Sequence, residues 1–156
     1  VYITAVANYT LPVYEPGTFI CPLGFGTLGY AFPAALGAKA GHPDRQVVAL
    51  CGDGGFLFNV QELATAVQSN LNVVILLIND GGYGAIRDWQ RKHAGGRLTA
   101  VDLHTPDFIT LEQAFGAIGM RARGLDDVGP LLQTACREPR PVLLEVPVTL
   151  EHPGFG

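Results

Sequence analysis

The sequence predicts an α/β domain with an open, doubly wound, mainly parallel sheet and helices on both faces. Short apolar runs alternate with stretches whose apolar residues recur at helical spacing, and this alternation is typical of parallel sheets. Hydrophobic residues make up 48% of the 156 residues and charged residues only 15%, which favours a sheet that is buried on both faces. The low charge also indicates surface that a partner subunit or a neighbouring domain covers.

We expect one domain over residues 1–156, because this length is enough to bury a core. Its predicted parts are an entry segment at 1–23, a core at 24–148 and a tail at 149–156. The entry segment carries three prolines and predicts only a short strand at residues 1–6. The chain begins with Val1 rather than Met, which indicates a C-terminal fragment of a longer polypeptide.

Three apolar runs predict strands of the sheet, at residues 46–50, 73–78 and 141–148. The alternation of helices and strands predicts a further strand at residues 120–123. Apolar residues at helical spacing, with Pro33 in one first turn, predict the helices. We expect these helices at 33–41, 59–70, 85–92, 110–117 and 128–137. Asn59 with Glu62, and Thr110 with Gln113, predict caps at two of the helix starts.

Composition excludes several classes of partner. The net charge is −4, and the chain has neither basic runs nor aromatic residues interleaved with them, so we expect no nucleic-acid partner. No apolar run approaches the ~20 residues of a membrane-spanning helix, so we expect no membrane partner. Cys21, Cys51 and Cys136 show no CxxC spacing, which indicates reduced thiols and a cytoplasmic protein.

Two acidic, glycine-rich turns follow the first two predicted strands. Asp53 lies in the turn GDGG after the first strand, and Asp80 lies in NDGGYG after the second. Turns that follow neighbouring parallel strands meet at one edge of a sheet, so we expect the two carboxylates to be close in space. Mg²⁺ commonly takes one or two carboxylates and completes its shell with other oxygens, including those of phosphates. The turns therefore predict a divalent metal that holds a phosphate group, with a carbonyl near Gly82 as a further ligand.

Each turn on its own has simpler explanations, since an aspartate among glycines is often a helix cap or a turn residue bonded to its own backbone. Other nucleotide motifs fit the chain poorly. The chain has no GxxxxGK(S/T) phosphate loop. The segment GFGTLG at residues 24–29 matches the letters of a dinucleotide motif, but no clear strand precedes it, and that motif needs one.

Taken together, these residues resemble the fingerprint of thiamine diphosphate (ThDP) enzymes. The fingerprint begins with GDG, here residues 52–54, and ends with an asparagine pair, here Asn79 and Asp80. The upstream block GFGTLGYAFPAALGAKAG and the later segments EQAFGAIGMR and PVLLEVPV also resemble this superfamily. The resemblance is strongest to the C-terminal, diphosphate-binding (PP) domain of the acetolactate synthase, benzoylformate decarboxylase and pyruvate oxidase group. It covers residues 24–148 and implies the ThDP-binding fold.

The resemblance implies a site for ThDP and Mg²⁺. Asp53, Asp80 and the carbonyl of Gly82 correspond to the metal ligands. Leu28 corresponds to the bulky apolar residue that bends the cofactor, so that its 4′-amino group reaches the thiazolium C2–H; the alternative is a plain core leucine. Tyr83 and the neighbouring glycines would line the diphosphate. The other residues of the expected cofactor-binding set are Gly26, Thr27, Gly54, Gly55, Gly84 and Ala85.

The chain departs from the family at two points. Asp80 stands where the family usually has asparagine, which adds a negative charge beside the diphosphate; we expect binding to survive with a stronger dependence on the metal. The family activates ThDP with a glutamate from a pyrimidine-binding (PYR) domain, and these 156 residues contain no such domain. We therefore expect no catalytic residue in this chain and an inactive fragment when it is alone.

The resemblance implies a 2-oxo acid decarboxylase or an acetolactate synthase-like carboligase, which breaks or forms C–C bonds through a C2 carbanion and an enamine. Trp89 and Gln90 resemble acetolactate synthases, whereas YGAIR, with Ala85 in place of their methionine, resembles the decarboxylases. The expected partners are a 2-oxo acid, the PYR domain of the same or a partner subunit, and further copies in a homodimer or homotetramer; FAD in a middle domain is left open. The alternatives are a non-catalytic Mg²⁺/diphosphate-binding or assembly module and another α/β metal–phosphate enzyme.

Overall fold

The computed structural model describes residues 2–149, without the side chains of Tyr2 and Thr4. Within these residues the chain forms helices and strands in alternation. The helices are α1 (Tyr2–Thr10), α2 (Ala31–Gly41), α3 (Asp53–Leu57), α4 (Glu62–Gln68), α5 (Gly84–His93), α6 (Phe108–Phe115) and α7 (Leu125–Ala135). The strands are β1 (Val48–Gly52), β2 (Val74–Asn79), β3 (Ile118–Arg121) and β4 (Val142–Pro147). The predicted tail, apart from Thr149, lies outside the described residues.

The four strands form one parallel sheet in the order β1-β2-β4-β3. Gly52 at the end of β1 pairs with Ile78 of β2, and Asn79 at the end of β2 pairs with Pro147 of β4. The carboxyl ends of β1 and β2 are therefore nearly level, and the turns that follow them begin side by side. The predicted parallel sheet is confirmed.

Helices cover both faces of the sheet, because successive side chains of a strand point to opposite faces. One face packs against α2, α4 and α6 through a core that includes Phe32, Leu63 and Phe108. The other face packs against α7 through Val142 and Leu144. The step from β3 to β4 runs opposite to the step from β1 to β2, so right-handed crossovers place α7 on the other face. Among the described residues, no helix is long and apolar enough to span a membrane.

The entry segment differs from its prediction. We predicted a short strand at residues 1–6, but residues 2–10 form the helix α1, and Val1 itself lies outside the described residues. The β-branched residues of this segment favour strands on average, but here the burial of one helix face stabilises a helix. Ala7 is buried and Ile3 lines a cleft, and residues four apart lie on one face of a helix.

Both predicted helix caps are wrong. The amide of Asn59 donates to the carbonyl of Gly29 at 2.6 Å, because a nearby loop competes for it, and α4 begins at Glu62 without a side-chain cap. Asp107 rather than Thr110 caps α6, since its carboxylate accepts a hydrogen bond from the Thr110 N–H at 2.8 Å. That is the usual role of an aspartate just before the first helical turn, and α6 starts earlier than predicted.

The other elements lie close to their predicted positions. β1 begins at Val48 rather than at residue 46, and β3 begins at Ile118 rather than at residue 120. The short helix α3 was not predicted, because Gly54 and Gly55 disfavour a helix. The helix has low intrinsic propensity, and the burial of Phe56, which is 1% exposed, stabilises it.

Burial disfavours the charged forms of two groups in the core. Burial raises the pKa of the Cys51 thiol to about 12 and the pKa of the Glu112 carboxyl to about 8. Neither carboxyl oxygen of Glu112 has a hydrogen-bond partner among the described residues. Both groups are therefore mainly protonated at neutral pH, and Glu112 would destabilise the fold when it ionises.

Glu112 predicts a fall in stability with rising pH. Between its ordinary pKa of 4.5 and about 8, the folded state keeps a proton that the unfolded state has released, so the free energy of unfolding decreases through this window. The total decrease is on the order of a few kcal/mol. Glu112→Gln cannot ionise, so urea unfolding at pH 6 and pH 9 should show a much smaller difference for this variant than for the unsubstituted protein.

Glu15→Gln is the matched control, since the Glu15 side chain is 66% exposed and its removal should leave the pH dependence unchanged. If Glu112→Gln shows the same loss of stability at pH 9 as the unsubstituted protein, the buried carboxyl does not ionise in this window.

Candidate functional site

A cleft opens at the carboxyl edge of β1 and β2. Its enclosed volume is about 100 Å³, and its mouth opens to solvent. Three segments form most of its walls: the loop before α2, the turn after β1 and the turn after β2. The residues they contribute are Thr27, Leu28, Gly29, Tyr30, Gly52, Asp53, Gly54, Gly55, Asp80, Gly82, Tyr83, Gly84 and Ala85.

Asp53 is almost completely buried at the end of β1, with 1% of its surface exposed. Its carboxylate accepts a hydrogen bond from the N–H of Gly82 at 2.9 Å. Burial raises the pKa of Asp53, the N–H of Gly54 opposes this shift, and the charge of Asp80 adds to it. The two aspartates are therefore close enough for each to act on the charge of the other.

Arg87 holds the turn that carries Asp80. Its guanidinium forms an ion pair with Asp80 Oδ2 at 3.4 Å and donates a hydrogen bond to the carbonyl of Gly81 at 3.0 Å. It also pairs with Asp102 at 2.9 Å. The Arg87 side chain is only 14% exposed, so its positive charge acts on the turn with little screening by water.

A short antiparallel bridge fixes the same turn against a later loop. Gly82 bridges to Asp102, and the Tyr83 N–H donates to the carbonyl of Val101 at 2.8 Å. A Cβ on Gly82 would collide with the Arg87 guanidinium and with the Val101 carbonyl. Only glycine therefore allows the turn, the loop and the guanidinium to approach so closely.

The loop that carries Leu28 is tied to the β1 side of the cleft. The carbonyl of Gly29 accepts the amide of Asn59, and Gly29 adopts a φ of +79°, which favours glycine. A Cβ on Gly29 would lie 2.7 Å from the Asn59 amide nitrogen. Leu28 lines the cleft, and its Cδ2 would lie 3.7 Å from a Cβ on Gly55.

The cleft brings together all of the predicted cofactor-binding residues except Gly26. Gly26 lies just before Thr27 in the chain. It has a φ of +63°, and its N–H donates a hydrogen bond to the carbonyl of Pro22. Asp53 and Asp80 share the cleft as the parallel sheet requires, and Gly82 presents its N–H to Asp53. The roles assigned to these residues stay predictions.

Sequence reasoning did not assign three residues that organise the site. Arg87 falls in a predicted helix, Asp102 in a predicted loop and Asn59 at a predicted helix cap. Their contacts join segments that are distant in sequence, and such contacts leave no local pattern. The one local signal is that Arg87 follows Asp80 by seven residues. The turn after β2 and the first turn of α5 bring the two side chains together.

Comparisons with known proteins identify the family. Residues 2–146 match the family model of the thiamine pyrophosphate enzyme, C-terminal TPP binding domain. The chain is 42% identical over 138 residues to the acetolactate synthase large subunit of Corynebacterium glutamicum. This alignment covers 84% of this chain and 22% of that protein. It is 37% identical over 132 residues to the probable acetolactate synthase large subunit of Methanocaldococcus jannaschii, with the same coverage of 84% and 22%.

A solved structure gives the same result. The thiamine diphosphate-dependent 4-hydroxybenzoylformate decarboxylase of Rhodococcus jostii RHA1 superimposes with a TM-score of 0.75 at 33% identity, over 81% of this chain and 24% of that chain. The parallel sheet with a cleft at its carboxyl edge is the architecture of a ligand-binding α/β domain. Within that class, the chain belongs to the thiamine pyrophosphate enzymes, as their C-terminal TPP binding domain. It spans 22% of the length of the curated relatives named above.

The cleft predicts opposite effects for two neighbouring glycines of α3. A Cβ on Gly54 would lie 2.6 Å from the ring of Tyr83, so Gly54→Ala should lower the free energy of unfolding by about 1–3 kcal/mol through overpacking. Gly55→Ala is the matched control in the same helix, because its Cβ would make only an ordinary contact with Leu28. It should be neutral or stabilise by up to ~1 kcal/mol through helix propensity.

Urea unfolding of the two variants measures this difference directly. Equal changes in the free energy of unfolding would show that Tyr83 does not pack tightly against Gly54.

Proposed function

We propose that this chain binds thiamine diphosphate through Mg²⁺, as part of a 2-oxo acid decarboxylase or an acetolactate synthase-like carboligase. The observation that carries the proposal is a buried carboxylate, Asp53, which shares the cleft with Asp80 at the ends of adjacent strands. The family model, which describes a TPP binding domain, supports the cofactor. The names of the relatives, which are acetolactate synthases and a decarboxylase, support the reaction class.

The charges of the cleft suit a divalent cation. Burial disfavours the charged form of Asp53, and among residues 2–149 the ion pair of the cleft involves Asp80 rather than Asp53. No group of three or more His, Cys, Asp or Glu residues in this range could hold a metal ion. Mg²⁺ fits such a site, because it usually takes one or two carboxylates and completes its shell with water and phosphate oxygens. Asp53, Asp80 and the carbonyl of Gly82 would hold it.

Glycines beside the two aspartates suit a diphosphate group. Gly54, Gly55 and Gly84 line the cleft without side chains, so a ligand can approach the backbone closely. Backbone N–H groups of such turns bind phosphate oxygens. In this proposal these glycines and Tyr83 would line the diphosphate, and Asp53 and Asp80 would hold the metal that accompanies it.

Leu28 supplies apolar surface to the same cleft. Its loop is tied to the β1 side through the carbonyl of Gly29 and the amide of Asn59, which holds the backbone next to Leu28. We infer that Leu28 would pack between the two rings of the bound cofactor and favour its bent form, which is a form of preorganisation. When bound, ThDP supplies a carbon nucleophile for the carbonyl group of a 2-oxo acid.

The group that activates the cofactor lies outside this chain in our proposal. The carboxylates that line the cleft in the described residues are Asp53 and Asp80, and both are assigned to the metal. A glutamate from a PYR domain, in the same or a partner subunit, would complete the site, and a homodimer or homotetramer would bring the two halves together. A cytoplasmic location stays a prediction.

Calorimetry on the protein in its natural assembly tests the function. ThDP with Mg²⁺ should bind, whereas ThDP without metal should bind at least about tenfold more weakly, because the aspartates then face the diphosphate without a cation between them. Asp53→Asn should weaken binding in the presence of Mg²⁺ by at least about tenfold, since it removes a metal-binding charge.

Asp126→Asn is the control, because Asp126 is exposed on α7 at the other face of the sheet, and this variant should bind like the unsubstituted protein. Binding of ThDP with equal affinity in the absence of metal, or a preference for ATP or NAD over ThDP, would refute the proposed function.

A further inference from the structure

We propose that Arg87 is a positioning residue for the metal site, because its charge offsets that of Asp80 and so reduces the negative charge that the cleft presents to a diphosphate. This inference rests on the proposed function. Two carboxylates and a diphosphate would otherwise share one small cleft with a single divalent ion, and like charges at such distances repel strongly where water is scarce.

The contacts of Arg87 place its charge on the Asp80 turn. Its Nη1 lies 3.4 Å from Asp80 Oδ2 and 3.4 Å from the Asp80 carbonyl oxygen, and its Nη2 donates to the Gly81 carbonyl at 3.0 Å. The side chains of Arg87 and Asp80 are only 14% and 8% exposed. Because water screens such a pair weakly, the guanidinium acts on Asp80 far more than a surface cation would.

The fold holds the guanidinium in place without help from a ligand. Asp102 accepts a hydrogen bond from Arg87 Nε at 3.0 Å on the outer side, where it is 73% exposed. Gly82 leaves the space that the guanidinium occupies, since a Cβ there would collide with it. The backbone N–H of Arg87 also donates to the carbonyl of Tyr83 at 2.9 Å, in the first turn of α5.

A purely structural role for Arg87 makes a different prediction. If Arg87 only holds the turn through the Gly81 carbonyl, its loss should have the same effect whether residue 80 is charged or neutral. If Arg87 acts through charge, its loss should matter much less when Asp80 is replaced by the isosteric, neutral asparagine. A double-mutant cycle separates these two cases.

The experiment measures ThDP affinity by calorimetry at saturating Mg²⁺ in the natural assembly, with Arg87→Gln, Asp80→Asn and the double variant. We expect Arg87→Gln to weaken ThDP binding at least about fivefold with Asp80 present, but less than about twofold in the Asp80→Asn background. Arg87→Lys, which keeps the charge and loses the planar fork, should recover most of the affinity. Arg91→Gln, on the exposed side of α5, should have no effect.

Melting temperatures without ligand report whether each variant folds. Equal losses of affinity in both backgrounds, no loss in Arg87→Gln, or an Arg87→Lys variant as weak as Arg87→Gln would each overturn the inference. If Arg87→Gln fails to fold but the double variant with Asp80→Asn folds, the inference is supported. If neither variant folds, the inference is overturned. If the unsubstituted protein does not bind ThDP with Mg²⁺, the proposed function itself fails. If the unsubstituted protein does bind, the outcomes above concern Arg87 alone.

Discussion

The parallel register between β1 and β2 is the constraint on which the site depends. Gly52 pairs with Ile78, so Asp53 and the turn of Asp80 leave the sheet at the same edge and line one cleft. A slip of one residue would turn the core side chains of a strand to the wrong face. The paired core residues Cys51 and Leu77 therefore fix the site as well as the sheet, because the packing that sets their register also sets the positions of the two turns.

The two aspartates of this cleft expose little of their surface, and neighbouring groups of the protein compensate part of their negative charge. Asp53 receives the N–H of Gly82, and Asp80 receives the guanidinium of Arg87. Gly82 serves both aspartates, because its N–H binds one carboxylate and its missing side chain leaves room for the cation that binds the other. The turn is held from outside by the bridge between Gly82 and Asp102. The site is thus arranged before any ligand enters.

Much of this arrangement could be read from the sequence, because it depends on local pattern. Three of the four strands were predicted from apolar runs and the fourth from the alternation of elements, and the meeting of Asp53 and Asp80 followed from the geometry of parallel strands. Features set by contacts between distant segments could not be read in this way. Asn59 carries the letters of a helix cap but bonds to the loop of Gly29 instead, and the residues of α1 have the composition of a strand but bury one face of a helix. Arg87 ends the segment YGAIR, but its contacts with Asp80 and Gly81 leave no local pattern in the sequence.

A crystal structure of the natural assembly with ThDP and Mn²⁺, recorded at a wavelength where manganese scatters anomalously, tests most directly whether a metal links the aspartates to a diphosphate. We expect one anomalous peak that contacts a carboxylate oxygen of Asp53, a carboxylate oxygen of Asp80 and the diphosphate. A diphosphate bound in the cleft with no ion between it and the two aspartates, or an ion bound at another place, would contradict this site.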